Sequence, residues 1–261
     1  MKCPVERRFH DVTSALVYSF AAAHADSNQP ALQPPYNDVT AFVLRQHARL
    51  PDYLRLPLLV ATLAFDLGGF HRRHPQARAK RVAAWKNSSF AFAQDLMRYH
   101  ETLTTFALYS RADPAIALPP SGDFEPQGGE LRCEVLVVGS GPAGSITACV
   151  LAEAGRDVLL LEEGDFYAPD SCAPFSQAEM EQKYRHGGQT VAFGRPKISY
   201  VEGCCVGGGS EINSGLYHRP SPELLEQWRR QFDVQHLTDT DLRVHCETIE
   251  KVISVSLLSN S

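Results

Sequence analysis

VLVVGSGPAGSITACVLAEAGRDVLLLEEG, Val135 to Gly164, decides the fold class. Val135 to Val138 form a branched apolar run of strand length, of the kind buried on both faces in a parallel sheet. Three glycines follow at the G-x-G-x-x-G spacing. Gly139 permits a tight turn, and Gly141 lets a pyrophosphate approach the backbone N–H groups and positive dipole at the start of a helix. Pro142 suits the first helical position, because the N–H it lacks would have had no helical partner. Gly144 lets the helix pack close to the strand, and Ala143, Thr147, Val150, Leu151 and Ala154 read as the helix face that covers the sheet. A second apolar run, Val158 to Leu161, then delivers Glu162, 18 residues after Gly144, where an acid can accept hydrogen bonds from ribose hydroxyls. The strand, turn, helix, strand and acid together predict the opening unit of a dinucleotide-binding, Rossmann-like α/β domain. An acid at the strand end argues against NADP, whose extra phosphate it would repel. Glu163 reads as a solvated neighbour.

A second glycine cluster follows in GCCVGGGSEINSGLYHR, Gly203 to Arg219. Gly207, Gly208, Gly209 and Ser210 allow backbone N–H groups to approach an anionic ligand closely. With Gly203, Cys204, Val206, Ile212, Asn213, Tyr217, Pro220 and Glu226 they match the first signature of the glucose-methanol-choline (GMC) oxidoreductases, which this chain resembles from about Cys133 to Glu250. The resemblance implies that the cofactor is FAD, with this loop lying over its pyrophosphate and ring. Asn213 stands where some relatives carry a histidine bonded to the flavin, so the resemblance implies FAD held without a covalent link. It also implies oxidation of an alcohol by hydride transfer to the flavin, assisted by a histidine near the C-terminus. Within the family the chain is most similar to long-chain fatty alcohol oxidases and dehydrogenases.

No histidine here matches that catalytic position. The chain stops at Ser261, and the expectation is a cofactor half without its chemical half, as a truncated product, a fragment or one piece of a split enzyme. Two rivals stay open: an FAD-binding module with no turnover of its own, and a helical interaction protein with a vestigial nucleotide fold. His186 and His218 read as structural, and His71 and His74 as part of a solvated cationic turn. The seven cysteines contain no C-x-x-C pair, which offers no zinc spacing and fits a reducing compartment.

Charge divides the chain. Residues 1–118 carry a net +5 and residues 119–261 a net −10, so nucleic acid is not an expected partner of the acidic half. The organisation expected is a helical domain over 1–118, a Pro/Gly-rich linker over 119–130 and an FAD-binding domain over 131–261. Helical patterning is read at 12–24 with Asp11 as its cap, at 39–50, at 52–67 with Pro57 inside, at 76–86 and at 90–109. Further on, helices are read at 176–186, 222–231 and 241–255, and short strands at 189–193 and 197–201. The helical domain is expected to form a core of its own and pack on the flavin domain. Its clustered Arg72, Arg73, Arg78, Lys80 and Arg81 offer contact with an anionic membrane surface or an acidic partner subunit. The longest apolar run, Leu56 to Phe65, falls short of the ~20 residues a bilayer helix needs. The expected location is the cytoplasm, peripheral to a membrane at most, with export disfavoured by the polar residues inside Val12 to Ala23.

Overall fold

The computed structural model describes residues 3–25, 28–111, 129–174, 176–213, 215–253 and 255. The described chain mixes helices and strands, with a helical N-terminal region, and divides into two compact units, Met1–Ile212 and Asn213–Ser261. The greater part of the Pro/Gly-rich linker expected at 119–130 lies outside the described residues.

The first unit begins with α1 (Pro4–Ala21), α2 (Asn37–Arg49), α3 (Asp52–Phe65), α4 (Pro75–Lys86) and α5 (Ala91–Ser110). Helix α1 starts earlier than Asp11: Pro4 takes the first helical position, and Glu6 accepts the Cys3 N–H at 3.0 Å. Its buried stripe, Val12, Leu16 and Phe20, meets Phe65 of α3 and Leu96 and Met97 of α5 in one cluster. Val17, Phe42, Val43, Leu103 and Leu108 form a second cluster between α1, α2 and α5. Helix α3 continues through Pro57 and ends before Gly68 and Gly69, whose φ of +88° and +74° suit residues without a Cβ. Asp66, fully buried, accepts from Arg8 Nε at 3.0 Å and from His71 N and Nδ1 at 3.0 and 2.8 Å. His71 is therefore tied to a buried carboxylate, unlike the solvated turn expected. Two of the clustered cations are also committed: Arg81 donates to the Phe65 and Leu67 carbonyls at 2.8 and 3.2 Å, and Arg73 to that of Gly68 at 3.2 Å.

The fingerprint folds as β1 (Val135–Val138), α6 (Pro142–Glu153) and β2 (Val158–Leu161), with β1 and β2 parallel and Val135 opposite Val158. Two details differ from the sequence reading. Strand β1 alternates half-buried and exposed residues, Val138 being 78% exposed, because the described sheet has two strands and nothing covers its outer face. The face of α6 turned inward is Gly144, Ala148 and Leu151, with Ala143, Thr147, Val150 and Ala154 exposed. Gly144 sets this rotation by resting against the Gly139 carbonyl, where a Cβ would come within 2.0 Å of the oxygen.

Helix α7 (Gln177–Lys183), capped by Ser176 accepting the Glu179 N–H at 3.2 Å, leads to an antiparallel hairpin of β3 (Thr190–Ala192) and β4 (Ile198–Tyr200). This stretch packs on the helical region. Met180 joins the second core cluster, and Glu181 pairs with Arg45 and Arg49 at 3.1 and 3.2 Å. His186 Nδ1 meets the Arg49 carbonyl at 2.8 Å, a structural role as the sequence suggested. The second unit holds α8 (Pro222–Phe232), capped by Ser221, and α9 (Asp239–Val252), opened by a reciprocal cap between Thr238 and Asp241. Arg219 closes it with a two-point ion pair to Glu250, 2.5 Å at each contact.

Candidate functional site

The first glycine turn is built on the end of β1. Gly139, at φ +91°, donates its N–H to the Leu161 carbonyl at 2.7 Å, which ties the turn to the end of β2. Gly141 caps α6 and has no atom within 4 Å of where its Cβ would stand, which leaves the backbone at the helix start open to close approach on that side. Pro142 and Ala143 lie exposed at the helix start, and Gly144 sits behind the turn as its packing residue.

Glu162 turns back onto this turn. Its Oε2 accepts from Ser140 N at 2.7 Å and Ser140 Oγ at 2.6 Å, and its Oε1 accepts from the N–H groups of Glu163 and Gly164, each at 2.9 Å. Burial pushes this carboxyl toward its neutral form, but the Ser140 hydroxyl and the three amides outweigh it and hold the pKa below the usual carboxylate range. The acid expected to meet a ribose is thus in place, with the acceptor positions of both oxygens engaged by the protein. Glu163 is exposed as expected, yet it forms an ion pair with Arg185, whose Nε lies 2.9 Å from Glu202.

The second glycine turn is held against the first. Cys204 N donates to the Lys183 carbonyl at 2.7 Å and Val206 N to that of Asp165 at 3.0 Å, which draws the loop beside the end of β2. The approach is close: a Cβ on Gly164 would lie 2.4 Å from the Cys204 backbone, and one on Gly203 would lie 2.3 Å from the Gly208 oxygen. Cys205 is buried here, and burial pushes its thiol up to about 11, which keeps it protonated. Gly207 and Gly208 have φ of +95° and +59°, and a Cβ on Gly208 would stand 3.1 Å from Gly141 Cα. The two glycine turns therefore touch.

Between them lies a groove of about 480 Å³. Val138, Gly139, Gly141, Leu161, Glu162 and Glu163 line it from the first turn and its strands, and Gly203 and Gly208 from the second. Of the residues singled out in the sequence, Gly139, Gly141, Glu162 and Gly208 line this groove. Gly207 adjoins it through a hydrogen bond to Ser140 at 3.1 Å. Gly209 is open on its Cβ side, and the Ser210 hydroxyl is spent on the Gly207 carbonyl at 2.6 Å. Asn213 opens the second compact unit, its Oδ1 accepting from Gly215 N at 2.7 Å. The sequence reading passed over Ser140, and its only signal was a hydroxyl between the first two glycines.

The pair of glycine turns at a helix N-terminus suits an elongated ligand with a central pyrophosphate, whose oxygens the helix dipole favours. Comparison with known proteins agrees. Residues 132–188 match an FAD binding domain and residues 180–260 match the GMC oxidoreductase family. A GMC-type oxidoreductase of Sinorhizobium fredii, y4nJ, is 39% identical over 128 residues, which cover 49% of this chain and 25% of that protein. A GMC-type oxidoreductase of Mycobacterium tuberculosis is 39% identical over 111 residues, covering 42% of this chain and 18% of its own length. The long-chain-alcohol oxidase FAO3 of Arabidopsis thaliana is 28% identical over 134 residues, covering 51% and 18%. The matched segment thus spans a quarter or less of each of these relatives. No solved structure matches the chain. On these matches residues 180–260 are similar to the GMC oxidoreductases, and the FAD binding domain match indicates FAD as the cofactor.

Proposed function

We propose that this chain is the cofactor-holding part of an alcohol oxidoreductase acting on long-chain or other apolar alcohols. The contact between the Gly141 and Gly208 turns over one groove carries the reading, because it sets two glycine turns on a single ligand path. Similarity to the long-chain-alcohol oxidase FAO3 supports the substrate class. In this reading the β1–α6–β2 unit is the start of a Rossmann-like domain. The organisation is a helical domain over 1–118, a linker over 119–130 and an FAD-binding domain over 131–261.

Gly139, Gly141, Pro142, Ala143 and Gly144 shape the turn that receives the ADP half, and Glu162 takes the adenosine ribose by exchanging one of its present donors. Gly207, Gly208, Gly209 and Ser210 meet the pyrophosphate and flavin half, and Asn213 offers an amide to a flavin held without a covalent bond. FAD, when bound, supplies the acceptor for the hydride of the alcohol carbon. The residues described here bind and orient, and none of them takes the hydroxyl proton.

Purified chain tests this directly. Yellow protein that releases all its flavin on acid precipitation supports bound, non-covalent FAD, and colourless protein that cannot be reconstituted overturns it. Anaerobic bleaching by a long-chain alcohol supports turnover by the chain itself. Flavin that stays oxidised under those conditions leaves it a binding module.

For the helical region we propose docking on an anionic membrane surface. Helix α3 is apolar on both sides: Ala61 and Phe65 are buried, while Leu56 and Val60 are 57% and 61% exposed, as is Leu67 just past its end at 67%. The following stretch, residues 68–90, carries six Lys/Arg and no acid. An apolar helix face beside acid-free cationic sequence is the pattern that enters a lipid interface.

A further inference from the structure

We propose that Ser140 is a positioning residue that couples the two glycine turns, so that the loop at 203–211 is held ready for the flavin half while the first turn receives the adenosine half. The inference rests on the FAD reading above and assigns the step that joins its two halves. Gly139, Gly141 and Gly144 satisfy the backbone demands of the first turn, and nothing in that turn requires a hydroxyl between the first two glycines.

Ser140 is 3% exposed, and its hydroxyl is used in both senses. It donates to Glu162 Oε2 at 2.6 Å and accepts the Gly207 N–H at 3.1 Å. The amides of Ser140, Glu163 and Gly164 hold the same carboxylate at 2.7, 2.9 and 2.9 Å and keep it beside the hydroxyl. The proton of Ser140 Oγ is thereby fixed on the acid, and an oxygen lone pair is left for the second loop. Gly207 sits at φ +95°, the first of two consecutive left-handed residues that turn the loop toward Gly141. The Ser140 contact therefore falls at the point where the loop bends over the groove. A Ser140→Ala chain keeps the first turn, loses the acceptor for Gly207 N–H, and leaves Glu162 with one donor fewer.

The test compares two ligands on the full 261-residue chain by calorimetry. ADP engages the first turn alone, whereas FAD spans both. Coupling through the loop predicts that S140A weakens FAD roughly tenfold, the size of one net hydrogen bond, and leaves ADP within about twofold. The Gly207 amide should also exchange its hydrogen faster in S140A than in the native chain. Equal weakening of FAD and ADP would overturn the proposal, because Ser140 would then serve only the acid, and so would no change in either. A variant that fails to fold is replaced by S140C, which keeps the shape with a weaker donor and is read by the same two ligands. Native chain that binds no FAD instead defeats the cofactor reading, so the two failures are distinct.

Discussion

The backbone N–H of Gly207 donates to Ser140 Oγ across 3.1 Å, joining two turns 67 residues apart in the chain. Beside it, Gly208 and Gly141 approach so closely that a Cβ on Gly208 would be 3.1 Å from Gly141 Cα. Gly208→Ala would carry both this contact and the cost of a left-handed backbone, about 1–2 kcal/mol. We expect FAD affinity to fall about tenfold or more, read by flavin fluorescence titration, with the helical circular dichroism unchanged. Native affinity in this variant would show that the loop can retreat without loss.

Gly164→Ala tests the packing beneath the loop. The added methyl would stand 2.4 Å from the Cys204 backbone, which no flexible side chain is there to relieve. We expect a loss of about 1–3 kcal/mol in urea unfolding. An alanine at Gly209, which has open space on that side, should cost far less.

Acid should weaken the helical region through its two buried histidines. Burial pushes His47 down to about 4, aided by Arg55, and His100 down to about 3, aided by His47. Below the ordinary histidine value of ~6.5 the unfolded chain takes up protons that the folded chain refuses. Stability is therefore full above that pH and declines as pH falls toward 4, by about 1.4 kcal/mol per unit for each histidine. Melting curves between pH 7 and 4.5 should show the decline. His100→Asn, which keeps a polar group near Thr62 Oγ1, 3.0 Å from the native ring, should flatten it.

The exposed face of α3 predicts lipid binding that depends on both its parts. The native chain should float with vesicles containing phosphatidylserine, and the Leu56→Glu, Val60→Glu double variant should remain with the unbound fraction. Equal flotation of the two chains, or none by either, would remove the membrane as occupant of this face. A native chain that self-associates through it would do the same.

The sequence made the fingerprint legible because glycine spacing reports backbone geometry directly: Gly139 and Gly141 line the groove, and Gly144 packs behind their turn. It placed the helices to within a few residues where Ser176 and Ser221 mark their starts, though α1 was read too late because a cap formed by Cys3 and Glu6 has no common signature. The rotation of α6 escaped notice, since Ala143 and Ala148 are equally apolar and only contact with the Gly139 carbonyl chooses between faces. Ser140 and the pair of Arg185 with Glu163 were equally hidden. Their partners lie 67 and 22 residues away, and pattern reading along the chain sees near neighbours only.

Helix α7 and the residues just after it carry one further meaning. The Lys183 carbonyl anchors the Cys204 amide at 2.7 Å, while Met180 and Glu181, on the same short helix, are fastened to α2 and the helical core. This short helix thus acts as a lever arm whose fulcrum lies among the N-terminal helices and whose tip steadies the flavin loop. Repacking around Phe42 or Leu108 would be felt as a change in cofactor grip, although neither side chain lines the groove.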